Sequence, residues 1–376
     1  MSAGKSGWRG EFDYLRGFAI LAIVWIHVGA FYVMIGHPSA IAPINEFLTH
    51  FADFGVPLFF FISGFVLTLR YFKVDSAPKF YVRRLAFIVP PYVVFTAIYG
   101  IYSVLFVDTS VQRATLSFAL FDAAGAFWFI AIIIQLYLLF PLLTRWYARL
   151  EARGQGWRLA GYSLVLYVLW WSVLFPATQY AIDLVGGSVV PDLGAIVAER
   201  LFPGYLIFFV LGIFACRSPS LTSRWYRTLS GIALVPAAAI MAVGLMFLKT
   251  GFWWAMLVLP FSIVMFALLA RASYWLMARP GWVSRGLQAI GVYSYGIYLI
   301  HVLIIAVVVK GLLTAGLGYG DAAFYLALYP ITVALSFLAL WVINKLPLGH
   351  YATGVRTKKK TSEKSMRSRS AEGRKS

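Results

Sequence analysis

Residues 14–35 read YLRGFAILAIVWIHVGAFYVMI. One charge, Arg16, stands near the start, one imidazole, His27, stands near the middle, and almost everything else is apolar. A membrane-crossing helix needs roughly 20 mostly apolar residues, so this run reads as a span. Ala40-Ile41-Ala42 resembles a signal cleavage site, but the run before it is too long for a signal's hydrophobic region, and the span is expected to be retained. Nine more windows follow: 54–72, 85–107, 127–146, 159–175, 201–216, 229–248, 252–270, 287–309 and 324–343, of which 201–216 is short and has Pro203 near its start. The expectation is an all-α integral membrane protein with ten transmembrane helices.

Composition leads to the same class. Of 376 residues, 61% are hydrophobic and only 12% charged, about half the charged share of a soluble domain. Ordinary soluble, disordered and fibrous chains are excluded. A single cysteine, Cys216, excludes an intramolecular disulfide framework and a cysteine-built zinc or iron–sulfur site; no metal is expected.

The basic residues test the span count. With the N-terminus in the cytosol, 28 of the 32 lysines and arginines fall on the cytosolic side, and Arg113, Arg200, Lys249 and Lys310 on the other. Such a bias, held loop by loop, is the positive-inside pattern, and one missed span would invert every later loop. Both termini are therefore expected in the cytosol. Nine of those basic residues lie in positions 356–376, without apolar periodicity. Two units follow: a ten-helix domain over 1–350 and a basic, disordered cytosolic tail over 351–376. Beside a membrane domain, that tail reads as a contact for anionic lipid rather than nucleic acid. No internal repeat is visible, so nothing points to the inverted halves of many secondary transporters.

Polar side chains at membrane depth are costly and therefore informative. His27 lies about 13 residues into the first window and His301 about 14 into the ninth. Both windows run in the same direction, so the two imidazoles are expected at similar depth. Arg16 and His27 are 11 residues apart, three helical turns plus about 20°, so they share a face at an axial separation of about 16 Å. Asp13, three residues before Arg16, is its natural partner. The face thus carries a carboxylate–guanidinium pair at its foot and an imidazole near the midplane. A lone histidine can equally be a hydrogen bond between helices. His301, Ser63 and Gln135 read first as such contacts, and Arg16 alone as a snorkelling anchor. Arg83 and Arg84, with Arg70 on the same loop, are dense enough to bind a phosphorylated cytosolic cofactor, because arginine offers phosphate a planar fork. No Walker A loop, GxSxG elbow, HExxH or GxGxxG stands in a credible context, which argues against an ATP-driven pump and the familiar soluble hydrolases.

Five stretches together resemble the membrane-bound acyltransferase 3 family. They are Phe12-Asp13-Tyr14-Leu15-Arg16-Gly17 followed by His27; Phe59-Phe60-Phe61-Ile62-Ser63-Gly64-Phe65; the basic stretch 80–92; Phe127-Trp128-Phe129-Ile130 with Gln135-Leu136-Tyr137; and Tyr293-Ser294-Tyr295-Gly296-Ile297-Tyr298-Leu299-Ile300-His301. They occur in family order over about residues 10–345. Phe87 stands where the family usually has another arginine. The resemblance implies a multi-pass protein of the plasma (inner) membrane that transfers an acyl group, acetyl above all, from cytosolic acyl-CoA to a hydroxyl of a surface or exported glycan or lipid-linked sugar. His27 would be catalytic with Arg16 and Asp13; Arg70, Arg83 and Arg84 would hold acetyl-CoA; Ser63, Gln135, Tyr295 and His301 are further candidates. Membrane lipids would be its other contact. A neutral imidazole suits removal of a hydroxyl proton near neutral pH. The competing expectation is a glycan or small-molecule transporter without acyl chemistry, since buried polar groups among many spans are equally usual there.

Overall fold

A computed structural model describes residues 4–35, 41–186, 192–218, 231–248, 250–319, 321–347 and 349–355. Among them every regular element is helical. The helices are α1 (Gly4–Ile35), α2 (Ala42–Phe51), α3 (Gly55–Tyr71), α4 (Ala77–Phe106), α5 (Val111–Ala119), α6 (Trp128–Glu151), α7 (Trp157–Leu169), α8 (Phe175–Gly186), α9 (Leu193–Ala198) and α10 (Leu206–Arg217). They continue with α11 (Gly231–Leu248), α12 (Phe252–Ala278), α13 (Trp282–Val292), α14 (Ser294–Thr314), α15 (Ala322–Ile343) and α16 (Gly349–Thr353). Helix dominates because a chain in lipid must satisfy its own backbone hydrogen bonds. The same environment tolerates Pro90, Pro91, Pro141, Pro260 and Pro330 inside helices.

Among the described residues eight helices are long and apolar enough to cross a membrane: Gly10–Met34, Ala42–Tyr71, Ala77–Phe106, Trp128–Glu151, Trp157–Gly186, Phe252–Ala278, Ser294–Thr314 and Ala322–Ile343. The windows at 201–216 and 229–248 fall instead on shorter apolar helices, Leu206–Arg217 and Ala233–Leu248. Twelve residues of α10 rise about 18 Å, short of the roughly 30 Å hydrocarbon core. A 3₁₀ turn, Phe202–Gly204, precedes it. The ninth window is also divided. Its start belongs to the short α13, and α14 begins at Ser294, so His301 lies seven residues past the start of its own helix rather than 14 past the start of a longer one.

Small residues set the closest approaches. A side chain at Gly64 would overlap the Phe209 carbonyl, and one at Gly212 would overlap that of Phe61, so α3 and α10 meet backbone to backbone. They run parallel: the Phe60 ring lies 5.1 Å from Tyr205, and twelve residues further along each helix the Arg217 guanidinium lies 4.1 Å from the Phe72 ring. Gly291 lets α13 press onto the Asp13 carbonyl of α1. α1 and α3 run antiparallel, with Phe12 beside Phe65 at one end and Ile23 against Gly55 at the other.

Between α7 and α8 the chain makes one π-helical turn, Trp170–Leu174. Only 22% of the most apolar windows of Trp157–Gly186 and of Ala322–Ile343 is buried, against 61% for Ala42–Tyr71. The former helices thus form the lipid-facing flank and the latter the centre. Past position 350 the folded chain continues briefly: α16 packs on α4, and buried Thr353 Oγ1 donates to Asn344 Oδ1 at 3.1 Å. The basic residues of 356–376 lie outside the described residues.

Candidate active site

α1 carries three of the expected residues. Arg16 Nη1 donates to Asp13 Oδ1 at 3.2 Å, one turn apart. Three turns on, His27 Nδ1 lies 2.9 Å from the Ile23 carbonyl. A carbonyl only accepts, so Nδ1 carries the proton and Nε2 keeps its lone pair. His301 comes to the same place from α14. The two imidazoles meet edge to face, centroids 4.8 Å apart at 75°. His301 is fully buried, its Nδ1 lies 2.8 Å from the Tyr298 carbonyl and 3.1 Å from that of Ile297, and its Nε2 has no hydrogen-bond partner. The equal depth expected of the two rings thus becomes direct contact, with both protons tied to the backbone and both Nε2 atoms bare.

The further candidates separate. Gln135 is a latch. Its Nε2 donates to the Arg200 carbonyl at 2.6 Å, and its Oε1 accepts from Phe202 N–H at 3.3 Å. It therefore fastens the irregular segment before α10 to α6, a loop contact rather than the helix–helix contact expected. Arg200, nearly buried, is held in turn by Asp122 at 2.7 Å. Tyr295 anchors α14 to α4, its hydroxyl donating to the Ile88 carbonyl at 2.7 Å. Ser63 sits beside the Gly64 contact on α3, half-buried.

The arginines gather at the other end of the bundle. Arg70 and Arg84 flank one ring, their guanidinium carbons 5.5 Å and 4.4 Å from the centroid of Tyr71. Arg83 is exposed. Beside them Arg217 grips Glu151 through two hydrogen bonds, 3.0 and 2.7 Å. Because α1 and α3 are antiparallel, Arg16 lies toward this arginine end.

Next to His27, away from the arginines, is a cavity of about 180 Å³. His27, Asp53, Trp128, Trp171, Tyr205 and Trp254 line it together with Tyr167, Phe208 and aliphatic residues. Trp128 belongs to one of the stretches that carry the family resemblance; Asp53, Trp171, Tyr205 and Trp254 were not singled out from the sequence. Asp53 stands just before α3, where a carboxylate reads as an ordinary loop residue, and its partner Trp254 is 201 positions away. Among the described residues no three His, Cys, Asp or Glu side chains could hold a metal ion.

A family model described as an acyltransferase domain, that of the acyltransferase 3 family, matches residues 9–341. Nodulation protein 10 of Rhizobium leguminosarum bv. viciae is 27% identical over 179 residues, covering 40% of this chain and 48% of that protein. The chain thus spans about half the length of this curated relative. No solved structure matches it. With its long apolar helices and a match over most of its length, this is a multi-pass membrane protein, and it belongs to the acyltransferase 3 family.

Proposed function

We propose that this protein moves an acyl group, acetyl first among them, from cytosolic acyl-CoA to a hydroxyl of a surface or exported glycan or lipid-linked sugar. The observation that carries the reading is His27: its Nδ1 is tied to the Ile23 carbonyl, its Nε2 is bare, and its ring faces a cavity. The acceptor oxygen attacks the thioester carbonyl carbon while Nε2 takes the hydroxyl proton. The carbon–sulfur bond then breaks, the ester remains on the acceptor, and the proton passes from the imidazolium to the departing thiolate. General-base help of this kind is typically worth about 10²–10⁴-fold. The His301 ring packs against the same imidazole, and its bare Nε2 can receive a hydrogen bond from a bridging water.

The donor's phosphates fit the arginine end, where Arg70 and Arg84 flank Tyr71 and exposed Arg83 stands close in sequence. In this reading the chain crosses the inner membrane ten times, with both termini and the arginine end in the cytosol. The parallel run of α3 and α10 supports the alternation, since the second and sixth crossings must point the same way. The test is acyl-CoA turnover and acyl transfer by the purified protein in lipid nanodiscs, wild type against His27→Ala and His27→Gln. Loss in both variants, with unfolding midpoints retained, is expected. Full activity in either overturns the assignment, and substrate flux without acyl-CoA dependence replaces it with transport.

A further inference from the structure

The cavity beside His27 has a composition that the acyl-transfer step alone does not require. Its walls are the rings of Trp128, Trp171, Tyr205 and Trp254, and its charged group is Asp53. Asp53 Oδ2 is fully engaged, accepting from His50 Nδ1 and from Trp254 Nε1, each at 3.1 Å. Asp53 Oδ1 makes no hydrogen bond among the described residues. The carboxylate is therefore clamped by one oxygen and presents the other. It also stands at the N-terminal end of α3, where the helix dipole favours a negative charge. Trp171 Nε1, on another wall, is buried with no hydrogen-bond partner. Buried polar groups are ordinarily satisfied, so a bare acceptor and a bare donor among the residues that line one cavity call for a ligand that supplies both.

That ligand chemistry is restricted. Aromatic faces pack against a flat apolar surface, the carboxylate demands hydroxyl or amine donors, and the indole demands an oxygen acceptor. At about 180 Å³ the cavity is below the roughly 300 Å³ at which pockets for drug-sized ligands begin. One six-membered polyol ring, with C–H groups on its face and hydroxyls on its edge, meets these demands. An acyl chain would strand the carboxylate, and an anionic group would face an uncompensated like charge. The site also lies at the opposite end of α3 from Arg70, so donor and acceptor would approach His27 from opposite directions.

We propose that this cavity is the acceptor subsite, that it takes a single neutral sugar ring, and that Asp53 and Trp171 hold the hydroxyls flanking the one His27 deprotonates, which excludes uronic-acid and phosphorylated sugars. The proposal rests on the acyl-transfer reading for its meaning, but binding tests it separately. The probes are methyl glycosides of glucose, galactose and mannose and the methyl glycoside of glucuronic acid. They are read by saturation-transfer NMR on the full chain in nanodiscs without acyl-CoA. At least one neutral glycoside binds wild type and the glucuronide does not. Asp53→Asn weakens the neutral probe tenfold or more and admits the glucuronide. Trp171→Phe, which keeps a ring and removes the donor, weakens the neutral probe about fivefold. Acetyl-CoA binding and the unfolding midpoint, measured on the same samples, certify the fold of each variant. Binding of none of the neutral glycosides, binding of the glucuronide as tightly as the glucoside, or neutral-probe affinity unchanged in both folded variants overturns the proposal. Acetyl-CoA turnover that survives in His27→Ala overturns the catalytic reading instead and leaves these binding results standing.

Discussion

At the residue scale the site turns on how two imidazoles are held. Each gives its Nδ1 proton to a carbonyl of its own helix, so the backbone fixes the tautomer and aims the basic nitrogen. His27→Ala should lower acyl transfer by about 10²–10⁴-fold, read as CoA thiol release, and His27→Gln should not rescue it. His301→Leu fills the space and removes the lone pair. It should lower kcat with little change in the acyl-CoA KM, since His301 lies at the imidazole and not among the arginines; an unchanged kcat would make the second ring a packing group. The spacing of Asp13, Arg16 and His27 made the first half of this site legible, because helical period alone fixes which residues of one helix share a face. Asp53 was not legible: its clamp comes partly from Trp254 on a helix two hundred positions away, and periodicity says nothing about which helices meet.

At the element scale two devices hold the frame. The first is the backbone contact between α3 and α10. Gly64→Ala or Gly212→Ala puts a methyl into a carbonyl oxygen of the partner helix, which overpacks the contact by about 1–3 kcal/mol or more. Gly161→Ala on α7 meets nothing within 4 Å and should be neutral or stabilising, because alanine outranks glycine within a helix by about 1 kcal/mol. Thermal unfolding in detergent should separate the two classes. The second device is the Gln135 latch. Gln135→Ala leaves the Phe202 N–H and the Arg200 carbonyl without that partner, which costs about 1–3 kcal/mol, and should lower the unfolding midpoint. The sequence marked Gln135 as costly at its depth but suggested a helix–helix contact. It bonds an irregular stretch instead, and turns of that kind leave little trace in hydropathy. The break at Tyr293 is faint in hydropathy for a related reason: apolar residues flank it on both sides, and the close approach of Gly291 to the Asp13 carbonyl of α1 beside it is a tertiary contact.

At the scale of the whole molecule the polar groups sort into two ends, with arginines around Tyr71 at one and Asp53 among aromatic rings at the other. Arg70→Ala with Arg84→Ala should weaken acetyl-CoA binding tenfold or more, and added salt should weaken the wild type in the same direction; calorimetry reads both. Orientation is testable with the single cysteine removed as Cys216→Ser. A cysteine at exposed Gln112 should react with an impermeant maleimide in intact cells, and one at exposed Asp75 only after lysis; the reverse pattern would invert the topology. Apolar windows revealed the long spans because length and hydropathy are what a bilayer demands of them. The short α10 met the same hydropathy without the length, and Pro203, in the 3₁₀ turn before it, is the residue that marks the late start in the sequence.

The π-helical turn at Trp170–Leu174 has a consequence for how this protein could diversify. Such a turn holds one residue more than the α-helical repeat allows, and it brings Trp171 to the cavity. Deleting one residue of that turn would restore regular winding and shift the indole of Trp171 from its place at the cavity, while the helix on either side kept its face and nearly its length in the bilayer. A one-codon deletion can therefore reshape this cavity without touching the imidazoles or the arginines.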